Sequence, residues 1–259
     1  MILDRLTSPE VDALDRRAVV LLPLAATEQH GPHLPLATDR LIAEALAGAL
    51  EAAEPDRVLL LPCPPVGHSA HHRAFAGSLS VEHDTLVRYA EEEMVGCLVA
   101  DGFRRVLILN AHGGNQAACG VLLERLGARL GTGPAGPPPR ARFAATTWWR
   151  AAADALRGVA ESGPGGCAHA GEFETSLMLH LHPDRVRRDR IGPGSNQPSF
   201  SWAESDMLSG SPVSLHRPIH EMAPDGVYGS PPHATAAKGA AVVEALAPVV
   251  RDLHAAEFS

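Results

Sequence analysis

The sequence predicts an α/β fold, a mostly parallel sheet covered on both faces by helices, and three observations carry that expectation. Its 259 residues are 45% hydrophobic but only 4% aromatic, so the core must be built from Leu, Val, Ile and Ala, which suits helices packed on a parallel sheet. Short apolar runs bounded by Pro and polar residues, such as Ala18 to Ala26 and Arg105 to Asn110, read as strands buried on both sides. Both run directly into a histidine-bearing loop and then a helical pattern, the repeated unit of a parallel sheet with helical crossovers.

Taken in order, the first strand ends near Ala26 and the loop Glu28 to Asp39 follows. Thr38 is placed to cap a helix through Leu41, Ile42, Ala45, Leu46, Ala49 and Leu50, whose spacings of one, three and four are helical. A second strand, Val58 to Leu61, runs into Pro62-Cys63-Pro64-Pro65, which cannot continue a sheet interior. Gly67 to Arg73 then makes a histidine-dense loop. His83 to Ala100 reads as a helix with Leu86, Val87, Tyr89, Ala90, Met94, Val95 and Leu98 buried and Glu91 to Glu93 partly solvated. A third strand, Arg105 to Asn110, turns through Ala111-His112-Gly113-Gly114-Asn115 into a helix from Gln116 to about Leu130. Gly131 to Arg140 is a Pro/Gly surface loop rather than a domain linker, because Ala141 to Thr147 is a further strand of the same kind. Helices are expected from Trp148 to about Val159, after His169, and from Thr235 along Ala240, Val243, Leu246, Val249 and Val250. The stretch Pro183 to Pro232 lacks periodicity and contains Phe200, Trp202 and Tyr228; so long an irregular segment is usually functional or a subunit contact. One domain spanning residues 1–259 is expected.

A formal net charge of -8 argues against nucleic acid or an anionic membrane as partner and for a small substrate. The four cysteines show no C-x-x-C spacing, so reduced thiols in a cytoplasmic protein are expected rather than a disulfide framework. Met1 to Arg17 is dotted with charges and precedes an apolar run too short to span a bilayer or to be spared by signal cleavage.

The chemistry concentrates in Glu28 to Asp39. Glu28 and His30 are two apart, so both point to one face of an extended segment, and Asp39 returns to that face from the first turn of the next helix. His112, at the end of a neighbouring strand, would supply a fourth ligand, and the segment His169 to Glu174 could close the site. Carboxylate-plus-imidazole sets of this kind suit zinc, manganese or iron, and an Asp can bridge two ions. The other histidines, His71 and His72 included, read as packed or solvated.

The chain resembles the creatininase family of metal-dependent amidohydrolases. The resemblance rests on Thr27-Glu-Gln-His-Gly-Pro-His-Leu-Pro-Leu-Ala-Thr-Asp39, Phe75-Ala-Gly-Ser-Leu-Ser80, Asn110-Ala-His-Gly-Gly-Asn115, His169-Ala-Gly-Glu-Phe-Glu-Thr-Ser176, and Gly226-Val-Tyr-Gly-Ser230 followed by Ala234-Thr-Ala-Ala-Lys-Gly239, in the family's order. It implies a three-layer α/β/α sandwich, two divalent metal ions per chain, and a homo-oligomer, frequently a hexamer. By the same resemblance, Glu28 and His112 look like ligands of one ion and His30 and Glu174 of the other, with Asp39 as the bridge. Glu174 rather than Glu172 matches the family position before Thr-Ser. Glu172, two residues away on the same helix start, is then a substrate-facing or ligand-supporting candidate, and His169 is placed to move a proton to the leaving nitrogen.

The expected reaction is hydrolysis of a C–N bond in an amide, lactam, formamide or peptide-like substrate by a hydroxide held between two metal ions. Gln29, Thr38, Asn110 and Asn115 would orient ligands, and Arg73 or Trp202 would touch substrate. Creatininases carry Tyr and Glu where Gly113 and Gly114 stand, and a Trp-Asp pair where this chain has Pro164-Gly165-Gly166-Cys167. Both glycine pairs should therefore open space, favouring a larger amide over creatinine. Related branches cleave formamides attached to pyrimidines or, as in mycofactocin biosynthesis, trim a precursor peptide. The competing readings are a metal-stabilised scaffold without turnover and a sugar-modifying enzyme on the same frame.

Overall fold

The computed structural model describes residues 1–131, 140–195, 206–208, 213 and 215–256. A short helix α1 (Ser8–Asp12) precedes the first strand, β1 (Val19–Leu24). Then come α2 (Thr38–Ala53), β2 (Val58–Leu60), and α3 (His83–Arg88), which passes through a π-helical stretch, Tyr89–Val95, into α4 (Gly96–Ala100). Next are β3 (Arg105–Asn110), α5 (Gln116–Leu126), β4 (Arg142–Thr147), and the short helices α6 (Trp148–Ala151) and α7 (Ala153–Val159). The chain ends with α8 (Glu172–Leu181), α9 (Ile219–Met222), α10 (Ala236–Leu246) and α11 (Pro248–Ala256).

Among the described residues four strands form a parallel sheet of order β2-β1-β3-β4. Every residue of β1 is buried, because period-2 alternation sends successive side chains into different layers. Val19 and Leu21 pack with Ile42, Leu46 and Leu50 of α2 and Phe173 and Leu177 of α8 on one face. Val20, Leu22 and Leu24 pack with Leu86, Leu98 and Leu122 on the other. The expected three-layer α/β/α sandwich is the observed fold. Leu24 is in register with Asn110, and Asn110 with Thr147, so the loops after β1, β3 and β4 leave from one edge of the sheet.

Three local expectations are corrected. Thr38 does not cap α2; it is the first helical residue, and its hydroxyl donates to Pro35 O at 2.6 Å. The π-helical stretch inserts an extra residue into the helical turn and so rotates the faces beyond it. At the start of that stretch Tyr89 is 48% exposed, while Glu91 is buried and accepts from Arg125 Nε at 2.6 Å and Arg129 Nη1 at 2.7 Å. The C-terminal helix is two helices, since Pro248 lacks the N–H to continue α10. Thr235 does cap α10, accepting from Lys238 N at 3.2 Å. Phe200, Trp202 and most of the Pro/Gly loop lie outside the described residues. No helix among the described residues is long and apolar enough to cross a membrane.

Candidate metal centre

All five sequence-predicted ligands converge at the carboxyl edge of the sheet. Glu28 lies four residues past β1, His112 two past β3, Asp39 in the first turn of α2 and Glu174 in the first turn of α8. Two groups of donors meet on opposite oxygens of Asp39. On one side, His112 Nδ1 lies 3.0 Å from Asp39 Oδ2 and 3.3 Å from Glu28 Oε1. On the other, His30 Nε2 lies 3.0 Å from Asp39 Oδ1 and 3.7 Å from Glu174 Oε2. All five residues are buried.

The far nitrogen of each ring is already committed. His112 Nε2 lies 2.9 Å from His68 O and donates to it, which leaves Nδ1 free to coordinate. His30 Nδ1 donates to Glu28 O at 3.1 Å, which leaves Nε2. A backbone carbonyl that fixes the tautomer in this way is the usual partner of a metal-binding imidazole. Asn110 holds the His112 backbone, donating to His112 O at 2.7 Å and accepting His112 N at 3.1 Å, and Asn115 ties the neighbouring loop to His68 N at 2.9 Å.

The donor set fits divalent cations on its own evidence. Both oxygens of Glu28 and Asp39 Oδ2 are buried without a hydrogen bond, although imidazole nitrogens stand within 3.0–3.3 Å of two of them. Each unsatisfied buried polar atom costs on the order of 1–3 kcal/mol, more when charged, and a cation satisfies several at once. Against the penalty of burial, Asp39 and Glu174 raise His30 to about 9, and Glu28 and Asp39 hold His112 well above the usual imidazole range. A cation bound there would compete with the protons on these imidazoles, so its uptake should tighten as pH rises.

Ala170, with φ of 53°, is a non-glycine residue in the left-handed region, where such strain persists only if the surroundings hold it. The conformation points Ala170 N at Glu174 Oε2, 2.6 Å away, and so aims the carboxylate. Burial nonetheless raises Glu174 above the ordinary carboxylate range.

His169 stands beside the ligands, its ring centroid 4.3 Å from that of His30. Its Nε2 lies 2.8 Å from Gln29 O, to which it donates, and its Nδ1 lies 3.6 Å from Glu28 Oε1. Burial and the neighbouring His30 push its pKa well below the usual imidazole range. The ring is therefore neutral at pH 7, a proton acceptor before it can be a donor.

His72 was not expected here. It is buried, with Nε2 3.1 Å from Glu28 Oε1 and Nδ1 2.9 Å from Gln29 Nε2. Gln29 donates to that Nδ1 and to Gly226 O at 3.0 Å, which holds the His72 ring against Glu28 with Nε2 facing its carboxylate. The signal was available: a histidine-dense loop follows β2, the parallel neighbour of β1, and leaves from the same sheet edge.

Glu172 is the main correction among the predicted site residues. Successive helical residues are turned by about 100°, so residues two apart on α8 diverge, and Glu172 points away from the metal ligands. Its carboxylate meets Lys238 Nζ at 2.5 Å and accepts from Ser162 Oγ at 2.5 Å and Glu161 N at 3.1 Å. Despite burial, these partners hold it below the ordinary glutamate value. It fastens α8 to α10 rather than facing substrate. Lys238→Met should cost about 3–5 kcal/mol, the penalty for stranding one member of a buried ion pair, read as a drop in the denaturation midpoint; E172Q/K238M, with no charge left unpaired, should lose less. Because the folded-state pKa of Glu172 is depressed, its contribution is present above the unfolded value of 4.5 and is lost as pH falls below it.

A cavity of about 660 Å³ opens over the centre, lined by Glu28, His112, His169 and Glu174 and walled by Trp149, Arg150, Arg157 and Asp206. Arg73 is exposed and does not line it. The two glycine pairs behave differently from expectation. A Cβ on Gly113 would meet nothing within 4 Å, so Gly113 does open the cavity. One on Gly114 would lie 2.2 Å from His68 O and 2.4 Å from His112 Nε2, so Gly114 permits close backbone approach instead. Gly166 is likewise packed, 2.3 Å from Ser162 Oγ by the same measure.

Comparison with known proteins agrees with this geometry. A family model described as creatininase, creatinine amidohydrolase, matches residues 4–253. The mycofactocin precursor peptide peptidase of Mycobacterium ulcerans (strain Agy99) is 33% identical over 228 residues, 85% of this chain and 78% of its own length. The creatinine amidohydrolase of Pseudomonas putida is 25% identical over 250 residues, 93% of this chain and 90% of its own. The crystal structure of a Bacteroides fragilis NCTC 9343 protein assigned as a creatinine amidohydrolase superposes with a TM-score of 0.78 at 28% identity, covering 98% of this chain and 94% of that one. With helices on both faces of a parallel sheet and a buried carboxylate–imidazole cluster at its carboxyl edge, the chain belongs to the creatininase family of metal-dependent hydrolases.

Proposed function

We propose that this hydrolase cleaves a C–N bond in a peptide-like amide, with Glu28 and His112 holding one divalent ion, His30 and Glu174 a second, and Asp39 serving both. The observation that carries the reading is the pair of donor groups on opposite oxygens of Asp39, at the floor of the cavity. Zinc, manganese and iron suit such donors. When bound, two such ions lower the pKa of water to about 7 and polarise a carbonyl. The chain's own residues do the rest. Gln29 and His72 hold Glu28 and the His169 ring in place, and neutral His169 takes a proton at Nδ1 and passes it to the departing nitrogen.

A peptide-like substrate is favoured over a small ring for two reasons. The cavity is of a size that takes a ligand larger than creatinine, and the relative at 33% identity is named for a precursor peptide. We also read the chain as one domain of a cytoplasmic homo-oligomer, hexameric as the family resemblance implies; its four cysteines are free thiols. Turnover measured side by side on creatinine, a formamidopyrimidine and short peptides, following the released amine, should favour the peptides. Efficient creatinine hydrolysis, or a carbonyl product without amine, would overturn the assignment.

A further inference from the structure

The cavity carries a second charged feature that the hydrolytic centre does not use. Arg150 and Arg157 both line its wall, on α6 and α7, the helices that follow β4 without an intervening loop. Thr147, where β4 ends, is in register with Asn110, two residues before His112. The topology thus places Arg150, three residues beyond Thr147, on the same sheet edge as the metal ligands.

Neither guanidinium is committed to the fold. Arg150 is exposed, and its side chain has no hydrogen bond or ion pair among the described residues. Arg157 pairs with Asp154 Oδ1 at 3.1 Å, but that carboxylate is fully exposed and three residues back on the same helix, so the pair is screened and readily exchanged. Apart from Glu28 and Glu174, the acidic residue of the lining is Asp206, whose oxygens accept from Gly165 N at 3.1 Å and Leu208 N at 2.9 Å. The wall therefore offers two arginines to a ligand in a chain of net charge -8, where cations have no general excess to explain them.

We propose that Arg150 and Arg157 form a carboxylate-reading subsite, so that the preferred substrate is a peptide-like amide bearing a free carboxylate away from the bond that is cut. The inference rests on the amide-hydrolase reading above and narrows its substrate class. A guanidinium presents a planar fork of N–H donors that matches both oxygens of a carboxylate. Binding energy gained there, remote from the reacting carbon, orients the amide over the ligands. The carboxylate can be a peptide's C-terminus or an acidic side chain, and the two are separable.

The test uses one peptide in three forms, with a free C-terminal acid, with a C-terminal carboxamide, and with a carboxamide after a terminal Glu, on wild type, R150A/R157A and R150K. Wild type should prefer the free acid over the plain carboxamide by about 10–100-fold in kcat/KM, mostly through KM, the worth of a charge-assisted hydrogen bond, and less so at high salt. The preference should collapse towards one in R150A/R157A and recover only in part in R150K. If the Glu-carboxamide form is favoured like the free acid, any carboxylate serves; if it is not, the C-terminus is required. Equal turnover of acid and carboxamide by wild type, or a preference that survives in R150A/R157A, overturns the subsite while leaving the hydrolase assignment standing. Should no peptide be cleaved, the assignment of the reaction falls, and calorimetric binding of the same acid and carboxamide pair decides the subsite: tighter binding of the acid that R150A/R157A erases supports it, and equal binding overturns it.

Discussion

Asp39→Ala should strip both metal ions from the protein and lower turnover by at least about 10³-fold. Each donor group meets Asp39 through its own oxygen, His112 Nδ1 through Oδ2 and His30 Nε2 through Oδ1, both at 3.0 Å. Without that carboxylate neither side keeps more than two of its protein donors, Glu28 with His112 or His30 with Glu174. Lewis-acid stabilisation is worth several kcal/mol, and each 1.36 kcal/mol is tenfold in rate, which sets the scale of the loss. Metal analysis of protein purified without chelator should read about two ions per chain for wild type and none for the variant. A full complement in Asp39→Ala would exclude Asp39 as the shared ligand.

His169→Ala should keep its metals and lose about 10²–10⁴-fold in turnover, the usual worth of a positioned general acid–base. The ring is fixed by its bond to Gln29 O, so Nδ1 is the free atom, directed at the Glu28 side of the centre. Its depressed pKa makes it a base first, and the rate should hold to lower pH than an ordinary imidazole would allow. The position also brings His169 within reach of the donor atoms of Glu28 and His72, and of His30 and Glu174. Metal content therefore separates the two roles: loss of an ion in His169→Ala would make the residue a ligand, and unchanged turnover would give proton transfer to another group.

Much of the centre was legible because it is short-range. Glu28 and His30 lie two apart in an extended segment, and Asp39 opens the very next helix, so a single loop and its flanks determine three of the five donors. His112 was readable for a similar reason, since Asn110-Ala-His sits at the end of a buried strand. The layering of the core followed from alternation along β1, and the helices from their apolar spacing, except at the π-helical stretch, where Tyr89 is exposed and Glu91 buried.

The sequence by itself determined the α/β class, the strand ends and, with the family resemblance, the candidate ligands, because these depend on periodicity, on motif and on neighbours a few residues apart. Only the tertiary structure decided what depends on strand order and helix rotation. The order β2-β1-β3-β4 puts the loop after β2 beside the one after β1 and the helices after β4 beside the loop after β3, which brings in His72 from a loop read only as histidine-dense and Arg150 from a segment with no local sign of its role. The docking of α8 on α2 and α10 turned Glu174 inward and left Glu172 facing Lys238. The backbone of the loop after β3 left Gly113 open and pressed Gly114 against His68. These are contacts between residues far apart in the chain, and no local pattern encodes them, because their partners are chosen by how whole elements pack.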